Sequence, residues 1–197
     1  FIDELIKILK KANQAIMQIY LSSDFDIKLK NNNSPLTNAD LSAHNIIEKG
    51  LRELTPNIPI VSEEAENTHH KNKENIYWLL DPLDGTKEFI KKSGDFTCNI
   101  GLIKDSKPFY GFVGTPTTET IYHGGKEFGS FKREKDKKEQ TIKCSTKKNP
   151  LRIIMIKSHI NKDTYDYIQK LKIEYEKIQA GSSLKFLKIA EGDADLY

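Results

Sequence analysis

An apolar run that ends in two aspartates constrains the fold of this chain more than any other feature. The stretch WLLDPLDGTKEF, residues 78–89, places Asp81 and Asp84 three residues apart and follows them with a Gly-Thr pair. Two carboxylates held close together repel each other, and removing them from water is costly unless a positive charge lies between them. We therefore predict a buried strand, IYWLL, that delivers both aspartates into one tight turn beside a cation.

The composition indicates a globular protein and gives no sign of a nucleic-acid partner or a transmembrane segment. Apolar residues make up 37% of the 197 residues and charged residues 30%, which is typical of a globular protein with a substantial core. The net charge of +3 gives no reason to expect a nucleic-acid polymer as partner. Cys98 and Cys144 lack zinc or redox spacing, and no apolar run is long enough to span a membrane. We expect free thiols, no transmembrane segment and a cytoplasmic location; peripheral contact with the inner membrane stays open.

Four elements are predicted ahead of the two aspartates. Apolar residues at helical spacing predict a helix from Phe1 to about Ser22. FDIKLK alternates like a short strand, and a second helix is predicted after Thr37 as its N-cap, with Asp40 at the third position. IPIVSEE, residues 58–64, is predicted as a strand that ends in two acids, and NTHHKNKEN as a polar loop.

Beyond the aspartates the pattern changes twice. A short helix, TKEFIKK, is followed by segments from FTCNIGLI to QTIKCS that predict a largely antiparallel sheet, with KREKDKKEQ as a solvated hairpin tip. From LRIIMIKS onward the rhythm is βαβ: a helix near Lys162–Leu171, a strand YEKIQA, and a further helix opened by GSS. We predict an α+β domain over 1–149 that carries the metal site, and the start of an α/β domain over 150–197. The stretch EGDADLY is expected to begin a strand without its sheet partners.

Five carboxylates stand at predicted element ends, and each has an ordinary structural explanation. Asp40 could complete a capping arrangement with Thr37, and the acids after the strands could be turn residues or solvated strand exits. Considered together, acids at three element ends are the pattern that holds a hard divalent cation through oxygen ligands. His44 and the His69-His70 pair do not suit magnesium, and we expect surface or packing roles for them.

The Gly-Thr pair that follows the aspartates indicates a phosphate-binding site beside the predicted cation. Gly85 allows the backbone to approach an anion closely, and the amides at the helix start that follows favour phosphate binding. A metal ion could then activate a water for attack on that phosphate. Thr86 Oγ and Asp40 are candidates to orient this water and accept its proton.

The motifs resemble those of a known family. VSEE at 61–64 and DPLDGTKEF at 81–89 are similar to the leading motifs of the inositol monophosphatase superfamily of lithium-sensitive, magnesium-dependent phosphatases. More narrowly, the chain resembles the bacterial 3'(2'),5'-bisphosphate nucleotidases, which remove the 3'-phosphate of adenosine 3',5'-bisphosphate, a by-product of sulfate activation. The stretches that carry this resemblance cover nearly the whole chain: NNSPLTNAD, LTPNIPIVSEE, WLLDPLDGTKEFI, GDFTCNIGLI and AGSSLKFLKIAEGDADLY. It implies an α/β (α+β) fold, a layered α/β/α/β sandwich of the inositol monophosphatase/fructose-1,6-bisphosphatase type.

The resemblance also implies roles for individual residues. Glu63 and the Leu83 carbonyl match ligands of the first of two or more Mg²⁺ ions, Asp81 matches the carboxylate that bridges two metals, and Asp84 matches a ligand of the second. Asp40 and Thr86 match the pair that positions the attacking water, and Glu64 fits a water-mediated contact. The implied contacts with a small phosphorylated substrate are Glu63, Leu83, Asp84, Gly85, Thr86, Gly181 and Ser182.

Two departures from the family pattern accompany the resemblance. Lys30 is followed two residues later by Asn32, where the family usually has an acid, which puts the local charge balance of that hairpin in question. The family's later Trp-Asp motif, which supplies a further aspartate to the second metal, does not occur in these residues. We therefore expect a C-terminal part that is truncated, as in a fragment, or a second metal site that is incomplete.

Three functions remain open at this point. The sequence favours a metal-dependent phosphomonoesterase in which water attacks directly, with the bisphosphate nucleotidase ahead of an inositol monophosphatase. The third is a non-catalytic metal- or nucleotide-binding remnant. A covalent phospho-aspartyl route is excluded at this site: LDGT is similar to haloacid dehalogenase-type phosphatases, but Pro82 stands where their nucleophilic aspartate would be. The exact substrate and the oligomeric state stay open.

Overall fold

The computed structural model describes residues 1–22, 26–30, 35–65, 75–146, 149–155, 162–170 and 172–197. Within these ranges the elements in chain order are α1 (Ile2–Ser22), β1 (Ile27–Leu29), β2 (Pro35–Thr37), α2 (Asn38–Leu54), β3 (Ile60–Ser62), β4 (Ile76–Asp84), α3 (Thr86–Ile90), β5 (Thr97–Lys104), β6 (Lys107–Thr115), a 3-10 turn (Pro116–Thr118), β7 (Thr120–Gly125), β8 (Gly129–Arg133), β9 (Gln140–Thr141), β10 (Leu151–Met155), α4 (Lys162–Lys170), β11 (Tyr175–Gln179) and α5 (Leu184–Ala190).

Helices α1 and α2 form because their local signals agree with their apolar faces. In α1 the residues at helical spacing, among them Leu5, Leu9 and Ile16, are buried, which confirms the first predicted helix. In α2 the predicted N-cap is also confirmed: Thr37 accepts from the Ala39 amide, and the Asp40 side chain accepts from the Thr37 amide. The two helices pack on each other and on one face of the large sheet.

The large sheet has seven strands in the order β3-β4-β5-β6-β7-β8-β9. Strand β3 pairs parallel with β4, and all the other pairs are antiparallel. This confirms the predicted antiparallel region and the β8–β9 hairpin under KREKDKKEQ. Side chains alternate between faces along a strand, so Leu80, Ile100 and Phe112, which lie side by side, share the buried face against α1 and α2.

The other face of this sheet carries a row of neighbours that matters for the site. Asp81 on β4 is opposite Asn99 on β5, which is opposite Val113 on β6, then Tyr122 on β7 and Lys132 on β8. Because residues in register point to the same side, this row faces away from α1 and α2. Helix α5 lies on this second face, where its two ends hydrogen-bond Asn99 and Tyr122.

A small parallel sheet, β10–β11, forms the next layer. Ile154 of β10 packs with residues on the α5 side, including Ile189, whereas Ile153 and Met155 pack against Ile168 of α4. The layers therefore run from α1 and α2 through the seven-stranded sheet and α5 to β10–β11, with α4 beyond. This confirms the predicted layered α/β sandwich; the division into domains at residue 150 stays a prediction.

The expectation that the segment DADLY lacks sheet partners was wrong. Leu196 forms a parallel bridge with Ile153, and the Ile154 amide donates to the Leu196 carbonyl at 2.8 Å. The Arg152 guanidinium holds Asp195 through two bonds of 3.0 and 2.8 Å, and this contact brings the segment alongside β10. Leu196 consequently packs into the cluster between β10 and α4.

Some of the sequence predictions fall on residues outside the described ranges. These are Asn32, Leu171, the end of LRIIMIKS and nearly all of the NTHHKNKEN loop with its His69-His70 pair. Among the residues that the structure describes, no helix is long and apolar enough to cross a membrane.

Candidate active site

The two aspartates of the hexapeptide lie in strand β4, and the predicted tight turn was wrong. The pairing of β4 with β5 shifts between Asp81 and Asp84: Asp81 is opposite Asn99, and Asp84 is opposite Thr97. Three steps along β4 therefore match two along β5, which is a β-bulge, and a bulge tolerates the proline at position 82 because it needs no ladder amide there. Since Asn99 and Thr97 share a face, the bulge places both aspartates on that same face.

Gly85 turns the chain from the strand into helix α3. Its φ of 93° lies in the left-handed region, and a Cβ at this position would stand 2.9 Å from the Asp95 carbonyl oxygen. Both conditions require glycine. Helix α3 then begins at Thr86 and is only five residues long, and its position is fixed by Phe89, which is fully buried.

The structure brings Asp40 and Thr86 together, as the sequence predicted. Thr86 Oγ1 lies 3.2 Å from Asp40 Oδ1 and 3.2 Å from the Leu83 carbonyl oxygen, so its single proton can go to either acceptor. The Thr37 amide and hydroxyl donate to the other carboxylate oxygen, Oδ2, at 2.8 and 2.6 Å. Asp40 is fully buried. Burial raises its pKa, although the bonds from Thr37 and Thr86 act against this shift.

Asp81 is the most perturbed carboxylate of the site. Burial and then the charges of Asp84, Glu63 and Glu64 raise its pKa to about 7, and Lys30 alone among the major contributors lowers it. Within the described residues its Oδ1 is buried without a hydrogen-bond partner. A divalent cation would bind this oxygen and compensate the excess negative charge around it. The residues present therefore fit a metal ion.

Lys30 pairs with both acids at the end of β3, a contact that the sequence did not predict. Its Nζ lies 2.8 Å from Glu63 and 2.7 Å from Glu64, and it joins β1 to the end of β3. The Glu64 side chain is only 3% exposed, against 50% for Glu63. Burial raises the pKa of Glu64 and the Lys30 bond opposes the rise. In the described part of the chain, no three His, Cys, Asp or Glu side chains already converge as a metal site, so the ligand roles of Glu63, Asp81, Leu83 and Asp84 stay predictions.

Asp84 is held by the loop that precedes α5. Ser182 Oγ and Ser183 Oγ donate to Asp84 Oδ2 at 2.6 and 2.7 Å, and Ser182 also contacts the Asp84 carbonyl. The predicted loop residues Gly181 and Ser182 are therefore brought to the hexapeptide, and a Cβ on Gly181 would meet Asp95 Cβ at 3.1 Å. Ser183 was missed as a site residue; the only signal for it was its position in GSS.

His44 has a packing role, one of the two roles, surface or packing, that the sequence predicted. It is buried, and its Nδ1 lies 2.8 Å from Ser62 Oγ. Ser62 also accepts from the Glu64 amide at 3.3 Å. The histidine therefore supports the end of β3, from which Glu63 and Glu64 project.

Comparisons with known proteins place the chain in a family. The family model for the inositol monophosphatase family matches residues 1–197, and the chain belongs to this family. It is 41% identical over 201 residues to the 3'(2'),5'-bisphosphate nucleotidase CysQ of Escherichia coli K12, and the match covers the whole chain and 79% of that protein. The protein of the same name from Buchnera aphidicola is 40% identical over 198 residues, with 74% of it covered. These matches confirm the resemblance.

Solved structures confirm the fold. The crystal structure of CysQ from Bacteroides thetaiotaomicron, a bacterial member of the inositol monophosphatase family, matches with a TM-score of 0.80 and 32% identity, over 98% of this chain and 76% of that one. The Thermotoga maritima inositol monophosphatase matches with a TM-score of 0.81 at 20% identity, which supports the fold alone.

Proposed function

We propose that the chain is a magnesium-dependent phosphomonoesterase that removes the 3'-phosphate of adenosine 3',5'-bisphosphate by direct attack of water. The observation that carries this proposal is the Asp40–Thr86 hydrogen bond, 3.2 Å long, at the strand end that also carries the uncompensated Asp81. We propose this substrate because the chain is 41% identical to a bisphosphate nucleotidase. Gly85, Thr86, Gly181 and Ser182 are the proposed substrate contacts.

The residues that would hold Mg²⁺ are the carboxylates of Glu63, Asp81 and Asp84 with the Leu83 carbonyl. When bound, the ion would make a water more acidic and stabilise negative charge on the phosphate and on the leaving oxygen. Oxygen donors alone, without histidine or cysteine, suit magnesium better than zinc or copper. Glu63 already shares its Oε1 with Lys30, whereas Asp81 offers an oxygen that has no partner among the described residues.

Thr86 and Asp40 form the proton path. When the Thr86 hydroxyl donates to Asp40 Oδ1, its oxygen can accept a hydrogen bond from the attacking water and so orient one lone pair of that water at phosphorus. Asp40 can accept a proton because burial raises its pKa above the ordinary value. The new bond joins the water oxygen to phosphorus, and the bond from phosphorus to the 3'-oxygen breaks. The proton lost by the water balances the one gained by the leaving oxygen, which gives adenosine 5'-phosphate and phosphate.

The test is phosphate release from adenosine 3',5'-bisphosphate beside inositol 1-phosphate, with magnesium and with chelator. We expect magnesium-dependent release that favours the nucleotide. Faster release from inositol 1-phosphate would indicate an inositol monophosphatase and would contradict the nucleotidase proposal. Binding of nucleotide without release from either compound would indicate a non-catalytic protein.

A further inference from the structure

A polar cluster at the far end of α5 stands apart from the site described above. Glu191, which follows the last residue of α5, accepts from Tyr122 Oη at 3.0 Å and from Lys132 Nζ at 2.8 Å, both at the same oxygen, Oε2. The Glu191 side chain is 12% exposed and that of Lys132 is 22% exposed. We call Tyr122, Lys132 and Glu191 the α5 anchor.

The charges of the α5 anchor support one another. Burial and the neighbouring Glu191 carboxylate raise the pKa of Tyr122 to about 12, so the phenol stays a donor at neutral pH. Burial disfavours the charge on Lys132, but its bonds to Glu191 and Glu134 and the charges of Tyr122 and Glu191 together outweigh this and raise its pKa. The anchor is therefore a charged, mostly buried contact with fixed donor and acceptor roles, unlike an exposed surface ion pair.

The opposite end of α5 holds Asp84. Ser183 occupies the N-cap position but makes no side-chain capping bond within the described residues, because its hydroxyl donates to Asp84 instead. Asn99 donates to Ser183 Oγ at 3.3 Å, and Thr97 Oγ1 lies 2.9 Å from Ser182 Oγ. Ser182 has a φ of 50°, an uncommon conformation for a residue with a side chain. Such a conformation persists only where the surroundings enforce it.

Helix α5 spans the sheet between these two contacts. Ser183 meets Asn99 on β5, and Glu191 meets Tyr122 on β7 and Lys132 on β8, all from one register row. Eight residue steps of helix rise by about 12 Å. Crossing from β5 to β7 or β8 takes about 10–14 Å at ordinary strand spacing. The length of the helix therefore matches the distance between its two contacts, and both of its ends are hydrogen-bonded to the sheet.

We propose that Tyr122, Lys132 and Glu191 are positioning residues that, by fixing the C-terminal end of α5, hold Ser182 and Ser183 against Asp84. The inference rests on the proposed function, because it assigns the α5 anchor a role in that reaction. A helix of seven residues has little stability of its own. Its placement must come from its contacts, and release of one end lets the other end move. Since small displacements of reacting groups reduce rates strongly, the loss should appear in kcat more than in KM.

The first test measures position without activity. Glu191→Gln removes the charge at nearly constant size, and Glu119→Gln is the matched control, because Glu119 pairs with Lys135 on the surface with both side chains more than half exposed. We expect hydrogen exchange of the amides at 182–187 in the metal-free protein to become about tenfold faster in Glu191→Gln, the change that a loss of about 1.4 kcal/mol produces. The control should match the parent; equal exchange in both variants would overturn the proposal.

The second test measures coupling to the site. We expect Glu191→Gln to lower kcat by about tenfold, with KM changed less than threefold. The same change made in a Ser183→Ala background should have a smaller effect, because one of the two serine contacts it acts through is gone. Fully additive losses would overturn the positioning role. If the parent releases no phosphate, the proposed function fails, whereas the exchange result still decides whether the anchor places the loop.

Two milder variants guard against a folding defect in Glu191→Gln. Tyr122→Phe removes one hydroxyl, and Lys132→Arg keeps the charge and the bond to Glu191. We expect Tyr122→Phe to show the same exchange and kcat changes at smaller size, and Lys132→Arg to stay near the parent. Lys132→Met removes the charge and the bond to Glu191, so a Lys132→Arg variant as slow as Lys132→Met would contradict the proposal.

Discussion

The Asp40 and Asp81 carboxylates lie near the same strand end and are held in opposite ways. Asp40 has both oxygens hydrogen-bonded, by Thr37 on one side and Thr86 on the other. Asp81 has one oxygen buried without a partner among the described residues, and its surroundings are mainly other carboxylates. The chain itself therefore satisfies Asp40, whereas Asp81 keeps an oxygen without a partner among the described residues, at the proposed metal site.

This contrast explains which half can be stable without ligand. Hydrogen bonds to a buried carboxylate offset its loss of hydration, so Asp40 supports the start of α2 as well as the proposed proton path. An unpaired buried carboxylate lowers the free energy of unfolding, and natural sites retain it where function requires it.

The largest effect is expected at Thr86. Thr86→Ala removes the hydroxyl that we propose links Asp40 to the attacking water, and kcat should fall by roughly 10²–10⁴-fold, the range for a lost proton-transfer partner. Substrate binding should change less, because the backbone amide at this position remains. Steady-state kinetics on adenosine 3',5'-bisphosphate measures both. Thr86→Ser, which keeps the hydroxyl, is the control, and a Thr86→Ala variant with parental kcat would exclude Thr86 from the proton path.

The next effect concerns the affinity for magnesium. Asp81→Asn keeps the shape of the side chain and removes its charge, so titration calorimetry should show Mg²⁺ binding weakened by about 100-fold or more, as expected for a lost charged ligand of a hard ion. Asp195→Asn is a useful comparison, because that carboxylate pairs with Arg152 on a different sheet. Parental magnesium affinity in Asp81→Asn would show that the cation does not use this carboxylate.

The same substitution should have the opposite effect on the metal-free fold. The folded-state pKa of Asp81, about 7, lies above the ordinary value of 3.8, so the folded state binds more protons than the unfolded chain between these values. Stability should therefore fall as the pH rises through that window, by roughly 2–3 kcal/mol from this group between pH 5 and pH 8. Urea unfolding with chelator at pH 5 and pH 8 measures the decline. Asp81→Asn should flatten it and be the more stable protein at pH 8; a parental decline in the variant would contradict the assignment.

Comparison of the sequence with the structure shows that local signals were sufficient for one half of the site. Thr37 and Asp40 are three residues apart and form the capping box that begins α2. Thr86 follows Gly85, where the chain turns from β4 into α3. These features depend on neighbours within a few residues, so a sequence pattern contains them. The pairing of Asp40 with Thr86 was predicted from their chemistry as candidates to orient a water, and the resemblance to a family implied the same pair.

The remaining features depend on strand register and on distant contacts. The bulge between Asp81 and Asp84 exists only relative to β5, so the hexapeptide alone was misinterpreted as a tight turn. Ser183 reaches Asp84 across 99 positions, and Leu196 bridges Ile153 beside the Arg152–Asp195 ion pair. No spacing rule within a segment encodes such contacts. They follow from the packing of whole layers, which the sequence specifies only collectively.

The smallest effect is expected at Lys30. It tests whether Lys30 compensates the charges of Glu63 and Glu64 in the metal-free protein. Lys30 contacts the nearly buried Glu64 and the exposed Glu63, so Lys30→Met should leave the Glu64 charge unpaired and reduce the stability of the metal-free protein by about 1–2 kcal/mol. Lys7→Met, which breaks an exposed pair with Glu4, should change stability by less than about 0.5 kcal/mol. Because a bound divalent ion would replace the charge that Lys30 supplies, saturating magnesium should recover much of the loss. Chemical unfolding with and without magnesium measures this recovery. An equal loss in both conditions would show that Lys30 supports β1 and β3 independently of the cation, and would remove it from the electrostatics of the site.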